Sequence, residues 1–438
     1  MDKDLSRIRE VVKEHPADKV QNLACYLNFD NLNQAQNRVK ANKATGVDKV
    51  TKEQYMTNSK ENLDNLIKRM KSGAYKPQPS RRVYIPKANG GKRPLGIPSY
   101  EDKIVQVVIA DILSIIYEDE IFLDNSYGFR PNKNQHQAIT EIMKLSQTKR
   151  TNYVLDIDIK GFFDNVNHEW MIKFLEHRIA DKRFIELIGK FLKAGIMEEG
   201  NYYKTDIGQP QGGVISPILS NIYLHYVLDL WFEKFIKVKS IGECYLVRFA
   251  DDFICLFQYE NEAKSFLEVL SERMNQFGLE LSQEKTKMIE FGRFAWENRN
   301  KRGLPRPESF NFLGFTFYCS FSRQTNKFIL KVKTEKKRLT KKIKEFGEWF
   351  KRNRHKFDEL IPKIKAKLHG HYNYYGVTYN FESIKYYYTN IMRKVFKWLN
   401  RRSQKRSFNW KQFQRKWDME WLMPKPVNKV SIISYTYS

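Results

Sequence analysis

Two apolar, strand-like runs in the middle third of the chain, YVLDIDI at 153–159 and CYLVRFADDFICLF at 244–257, are each interrupted by carboxylates. Burying such charges without a partner is very costly, so these acids constrain the fold more than any other feature. Within a strand Asp251 and Asp252 would point to opposite faces. A turn at Ala250-Asp251-Asp252 would let both approach a common cation. In the other run Asp156 and Asp158 share one face by the period-two rule, and Asp164 follows closely. Carboxylates from two neighbouring strands can hold hard cations through oxygen ligands, the arrangement a two-metal phosphoryl transfer requires. Taken alone, the Asp-Asp pair also reads as a turn with solvated acids.

The charge balance points to a polyanionic partner. With 77 Lys and Arg against 50 Asp and Glu the net charge is +27, which makes nucleic acid the leading candidate. No apolar run approaches the roughly 18 residues of a spanning helix, which argues against membrane insertion. The start, MDKDLSRIREVVKEH, has no apolar signal segment, so a cytoplasmic protein is expected. The four cysteines are far apart and never spaced C-x-x-C, supporting neither a disulfide framework nor a zinc ribbon. The 24 Tyr, 30 Phe and 8 Trp are often set among basic residues, which suits base stacking beside a phosphate-tracking groove, although large aromatics also fill cores.

Periodicity organises the rest. Residues 1–75 read as short helices, with a turn at Gly46-Val47-Asp48 before the helix-like TKEQYMTNSKENLDNLIKRM. RRVYIP and KRPLGIP flank Asn89-Gly90-Gly91 and predict a basic hairpin. A helix is expected from Glu101 to about Tyr117, with Ile104, Val108 and Ile112 on one face. Leu339, Ile343, Phe346 and Phe350 form the stripe of a surface-packed helix. Residues 361–416 carry 14 Lys or Arg against one acid, Glu382, and composition places a boundary near 321. That stretch reads either as a solvated helical face or as an RNA surface. Tyr372, Tyr374, Tyr375 and Trp398, interleaved with the cations, favour the RNA surface.

The whole series resembles the reverse transcriptases. YLVRFADDF resembles their motif C and DIKGFFDNVNH their motif A. RRVYIPKANGGKRPLGIP and NSYGFRPNKNQHQAI are similar to the fingers blocks, GQPQGGVISPILSN to motif B, GLELSQEKTK to motif D and FNFLGFTFY to the block after it. NQAQNRVKANKATGVD and KLHGHYNYYGV look like the N-terminal extension and domain X of proteins encoded by bacterial group II introns. The resemblance covers about residues 20–380. It departs at Phe249, where tyrosine is common, and in that no cysteine-bearing H-N-H endonuclease follows, which fits the endonuclease-lacking lineages.

This resemblance implies an α+β right-hand polymerase. Its parts would be a helical N-terminal extension (1–75), fingers (76–150), palm with part of the fingers (151–320), a helical thumb (321–385) and a basic nucleic-acid-binding region (386–438). It implies RNA-directed DNA synthesis on an RNA template and DNA primer with dNTP substrates, and action on a group II intron RNA in splicing and mobility. Two Mg²⁺ ions would be held by Asp158, Asp251 and Asp252, with Asp156 the competitor for the first place. Lys87 and Arg93 would contact the triphosphate and Gln211 would lie beneath the incoming nucleotide. Phe163 would gate against a 2′-hydroxyl, with Phe162 as the alternative, and Lys285 would protonate the leaving pyrophosphate. His369 and His371 suit packing or RNA contact better than a metal. A polymerase domesticated for phage defence and an RNA-binding maturase without polymerase activity are the alternatives. The intact aspartates argue against the second.

Overall fold

The computed structural model describes residues 4–86, 91–209, 211–401 and 408–431. Among these the strands, in chain order, are β1 (Ser80–Pro86), β2 (Lys92–Ile97), β3 (Tyr153–Ile157), β4 (Ile196–Glu198), β5 (Asn201–Tyr203), β6 (Cys244–Phe249), β7 (Asp252–Phe257), β8 (Lys287–Glu290), β9 (Phe310–Phe312), β10 (Phe315–Phe321) and β11 (Phe328–Thr334). They make three sheets, with strand orders β2-β1-β4-β5, β6-β7-β3-β8 and β11-β10-β9.

The sheet of β6, β7, β3 and β8 is antiparallel throughout and buried on both faces. Leu155, Ile157, Leu246, Phe253, Cys255 and Phe257 enter one core, shared with the N-terminal and central helices. Their neighbours Val154, Val247, Ile254, Leu256 and Ile289 enter another, under the helix Gln135–Thr148 and the β9–β11 sheet. Two-sided burial explains why these strands read as continuous apolar runs and not as an alternation. The helix Tyr100–Glu118 lies inside the first core, with Ile104, Val105, Val108, Ile109 and Ile112 all fully buried. Ser99 starts it by accepting from the Asp102 amide.

The basic hairpin forms as expected, β1 pairing with β2 from Arg81↔Ile97 to Pro86↔Lys92. Asn89 and Gly90 of its turn lie outside the described residues. The helix expected over 51–70 is two helices, Lys52–Thr57 and Ser59–Lys71, because Thr57-Asn58-Ser59 are weak helix formers and Asn58 leaves helical geometry. Leu339, Ile343, Phe346 and Phe350 are buried along the helix Lys336–Asn353. They pack with the helices Phe357–Tyr375 and Phe381–Leu399 around Leu360, Ile364, Ile391, Val395 and Trp417.

The boundary expected at 321 needs correction. β10 pairs with β11 residue for residue, from Phe315↔Thr334 to Phe321↔Phe328, so a hairpin runs through that point and the helical region begins at Lys336. The lysines that change the composition, Lys331 and Lys333, alternate with buried Leu330 and Val332. They mark the outer face of a strand. Residue 385 likewise falls inside the helix Phe381–Leu399. No helix among the described residues is long and apolar enough to cross a membrane.

Candidate active site

Strand register brings the carboxylates together. β3 and β7 end their pairing at Ile157↔Phe253, so the next positions, Asp158 and Asp252, emerge side by side at one end of the sheet. Asp251 sits in the two-residue turn Ala250-Asp251 that joins β6 to β7, closed by the pair Phe249↔Asp252. Ala250 has φ +58°, and two-residue hairpins of this kind require a positive φ. Asp156 lies a step inside the sheet, between Ile254 and Lys287. Asp158 is at the mouth, where its carbonyl accepts from the Ser282 amide.

The acids share one electrostatic field. Burial, and then the charge of Asp158, raise the pKa of Asp251 against the opposing influence of Arg93 and Arg248. Asp252 is pushed up to about 6 by burial and by the charges of Asp251 and Asp158, with Arg338 and Lys285 opposing. Asp156 is pushed up to about 7 by burial and the charge of Asp252, partly offset by Lys287. Such crowding is relieved by a cation. One is supplied by the chain itself, since Lys285 Nζ donates to Asp158 Oδ2 at 2.7 Å.

Among the described residues no three His, Cys, Asp or Glu side chains form a ready-made metal cage. Mg²⁺ does not need one, because it takes one or two carboxylates and completes its shell with waters and substrate phosphates. The all-oxygen donor set at the turn fits that ion.

Phe163 and Asp164, which follow Asp158 in the chain, line a cleft of about 200 Å³ together with Arg82, Pro94, Gly96, Gly208, Gln209 and Gln211. Its floor is strapped together by backbone hydrogen bonds. The Gln209 amide donates to the Phe163 carbonyl, that of Gly208 to Val166 and that of Gly96 to Gln211, all at 2.7–2.8 Å. Gly208 has φ +83°, and a Cβ there would meet the Asp164 carbonyl oxygen at 2.8 Å, so only glycine lets the loop approach this closely. Phe162 is in the core, edge-on to Tyr223, whereas Phe163 is half-buried and faces the cleft. Arg93 is exposed on β2, opposite Ile85 and within electrostatic reach of Asp251. Lys87 lies outside the described residues.

Sequence reasoning passed over Arg82, which lines the cleft, and the buried pair Arg248–Asp229 behind the turn. Arg248 could have been found by the argument applied to the aspartates, since a cation inside an apolar strand also needs a partner.

The C-terminal aromatics divide into two groups. Tyr372 and Tyr375 are buried, and Tyr374 stacks on Phe315 and donates to the Leu313 carbonyl, so these tyrosines are not the stacking surface expected of them. The basic composition around them disguised a helix face turned inward. His136 Nε2 donates to the Tyr374 carbonyl at 2.8 Å, tying this helix to the one at Gln135–Thr148. His371 stacks on Tyr387 with ring centres 3.7 Å apart, a packing role. Trp398 is half-buried and ringed by Lys351, Arg354, Lys397 and Arg401, each 5.2–5.7 Å from its ring centre.

A family model described as reverse transcriptase (RNA-dependent DNA polymerase) matches residues 85–317, more than half of the chain. The group II intron-encoded protein LtrA of Lactococcus lactis subsp. cremoris is 45% identical over 177 residues, 39% of this chain and 29% of that protein. Protein YkfC of Escherichia coli strain K12 is 41% identical over 199 residues, 44% of this chain and 52% of that protein. The putative COX1/OXI3 intron 1 protein of Saccharomyces cerevisiae is 36% identical over 244 residues, 55% of this chain and 29% of that protein. The matched stretches thus span from under a third to about half of these relatives' lengths.

Proposed function

The chain belongs to the reverse transcriptase (RNA-dependent DNA polymerase) family, and from that premise we propose that it extends a DNA primer along an RNA template at Asp158, Asp251 and Asp252. Its fold is accordingly an α+β polymerase fold with a helical C-terminal region. The observation that carries the reading is the register that delivers Asp158 and Asp252 to the same end of a doubly buried sheet.

Polymerases of this family depend on divalent metal, and two Mg²⁺ ions held by the three aspartates would supply Lewis-acid activation of the primer 3′-hydroxyl and the α-phosphate. The chain's own residues do the rest. Arg93 grips the triphosphate through its planar fork, with Lys87 adding a point charge. Gln211 supports the incoming base, and the Phe163 ring excludes a 2′-hydroxyl from the cleft it lines. Lys285 delivers a proton to the departing pyrophosphate. We propose the right-hand division into fingers, palm and thumb for this chain, with the thumb starting at the helix that opens at Lys336.

We further infer action on a group II intron RNA in splicing and mobility. Similarity to intron-encoded proteins supports this, as does the Trp398 cluster, where four cations and an indole suit a stacked base beside a phosphate backbone. Two measurements test the pair of readings. Primer extension with dNTPs on an RNA template should require Mg²⁺, and its absence would remove the polymerase. Binding to a structured intron RNA should exceed binding to a scrambled RNA of equal length at high salt, and equal affinity would remove the intron partner while leaving the polymerase standing.

A further inference from the structure

Behind the turn that carries Asp251 and Asp252 stands a buried ion pair for which the polymerase chemistry has no direct use. β6 holds a single charged residue, Arg248, and its side chain and that of Asp229 are both 0% exposed. Arg248 Nε donates to Asp229 Oδ1 at 2.7 Å and its Nη2 donates to Asp229 Oδ2. Nη1 faces the other way, donating to Asn221 Oδ1 at 3.0 Å and to the Ala250 carbonyl at 2.9 Å. We propose that Arg248, oriented by Asp229 and Asn221, is the positioning residue that fixes the turn bearing the carboxylates. This rests on the polymerase reading above.

Three observations converge on that role. A buried ion pair costs several kcal/mol of desolvation per ion and is often no more stabilising than a well-packed apolar pair, so stability alone does not account for it. Its free donor goes to the carbonyl of Ala250, whose φ of +58° is strained for a residue with a Cβ and persists only where the surroundings enforce it. The turn is also held from the opposite side. Asn221 Nδ2 donates to the Gly128 carbonyl at 2.8 Å, and Gly128 lies so close that a Cβ on it would stand 2.3 Å from the Ala250 amide nitrogen.

The backbone completes the clamp. The Tyr127 amide donates to the Arg248 carbonyl and the Arg248 amide to that of Asn125, adding the 125–128 segment to the edge of β6. Asp229 closes a π-helical turn, His225–Asp229, a distortion that recurs at functional sites. The helix Ser216–Leu224, which contributes Asn221, follows directly on the loop that carries Gln211. One guanidinium therefore joins the carboxylate turn, the nucleotide-cleft loop and the segment around Gly128.

The test must separate positioning from folding. The double variant Arg248→Met with Asp229→Leu removes both buried charges together and preserves volume, and Arg248→Lys keeps the charge but cannot span both Asp229 oxygens and the Ala250 carbonyl. Single-nucleotide incorporation on an RNA template with a DNA primer, at saturating dNTP, gives a rate, a burst amplitude and the half-saturating Mg²⁺ concentration. The double variant should keep its melting temperature and burst amplitude, lose on the order of 100-fold in rate and need more Mg²⁺. Arg248→Lys should lose about tenfold in rate at full amplitude, and it decides alone if the double variant does not fold. A purely structural role would lower the amplitude and leave the rate per active molecule and the Mg²⁺ requirement untouched. That result, or a wild-type rate in either folded variant, overturns the proposal. A wild-type chain that extends no primer would instead overturn the polymerase reading and this role with it.

Discussion

Asp156→Asn should make the protein more stable, and by an amount that depends on pH. Asp156 lies in β3 between Ile254 and Lys287, and its pKa rises from 3.8 to about 7, chiefly through burial and then through the charge of Asp252. Three units at about 1.36 kcal/mol each set a ceiling of about 4 kcal/mol for the cost of ionised Asp156 in the folded state. The side chain is only partly buried, and halving that ceiling for solvent screening leaves about 2 kcal/mol. The sign follows from a folded pKa above the unfolded one. The folded chain binds the proton more tightly, so the penalty is absent below about pH 4, grows between about 4 and 7 and is constant above. Asparagine keeps the shape without the charge, and exposed Lys287 stays hydrated when it loses its partner. In urea unfolding with a chelator present, the variant should gain about 2 kcal/mol at pH 8 and about 0.5 kcal/mol at pH 4.5. Equal stability at pH 8, or a difference that ignores pH, would refute the electrostatic account of this strand.

Asp252→Asn should cut Mg²⁺-dependent primer extension by about 10³-fold while the melting temperature holds or rises, since loss of metal stabilisation removes several kcal/mol from catalysis alone. Activity within tenfold of wild type would exclude Asp252 as a metal ligand. Phe163→Val should raise incorporation of ribonucleotides relative to deoxynucleotides with little loss of dNTP activity. Unchanged selectivity would move the gate away from this ring. Trp398→Ala combined with Arg401→Ala should weaken RNA binding and flatten its salt dependence, by about 0.7 in log K against log salt for each phosphate the variant no longer neutralises. A filter-binding titration at two salt concentrations reads this directly, and an unchanged slope would show that the cluster faces no phosphate.

The site was legible where its chemistry was local. Asp251 and Asp252 inside an apolar run called for a turn, and the turn is there; YVLDI and FICLF called for strands, and their continuous apolarity reflected a sheet covered on both sides. The β1–β2 hairpin and the Leu339 to Phe350 stripe were readable for the same reason, since each is set by residues within a few positions of one another. What escaped was set at a distance. Nothing near Arg248 announces Asp229, 19 residues earlier, because the pair meets only after helix and strand have packed. The basic composition beyond 321 concealed β11, whose lysines occupy alternate outer positions, and gave Tyr372 and Tyr375 the look of surface residues although they are core.

The pairing of β3 with β7 also restricts how such chains can diverge. Within β3, Val154, Leu155 and Ile157 are each committed to one of two separate cores and Asp156 lies between Ile254 and Lys287, and side chains alternate between faces with period two. Deleting or inserting one residue in either strand would send each core's side chains into the other and carry Asp158 away from Asp252. No gradual route leads through such a change. Drift in length must therefore accumulate in the connections outside these two strands, while within them only substitution is open.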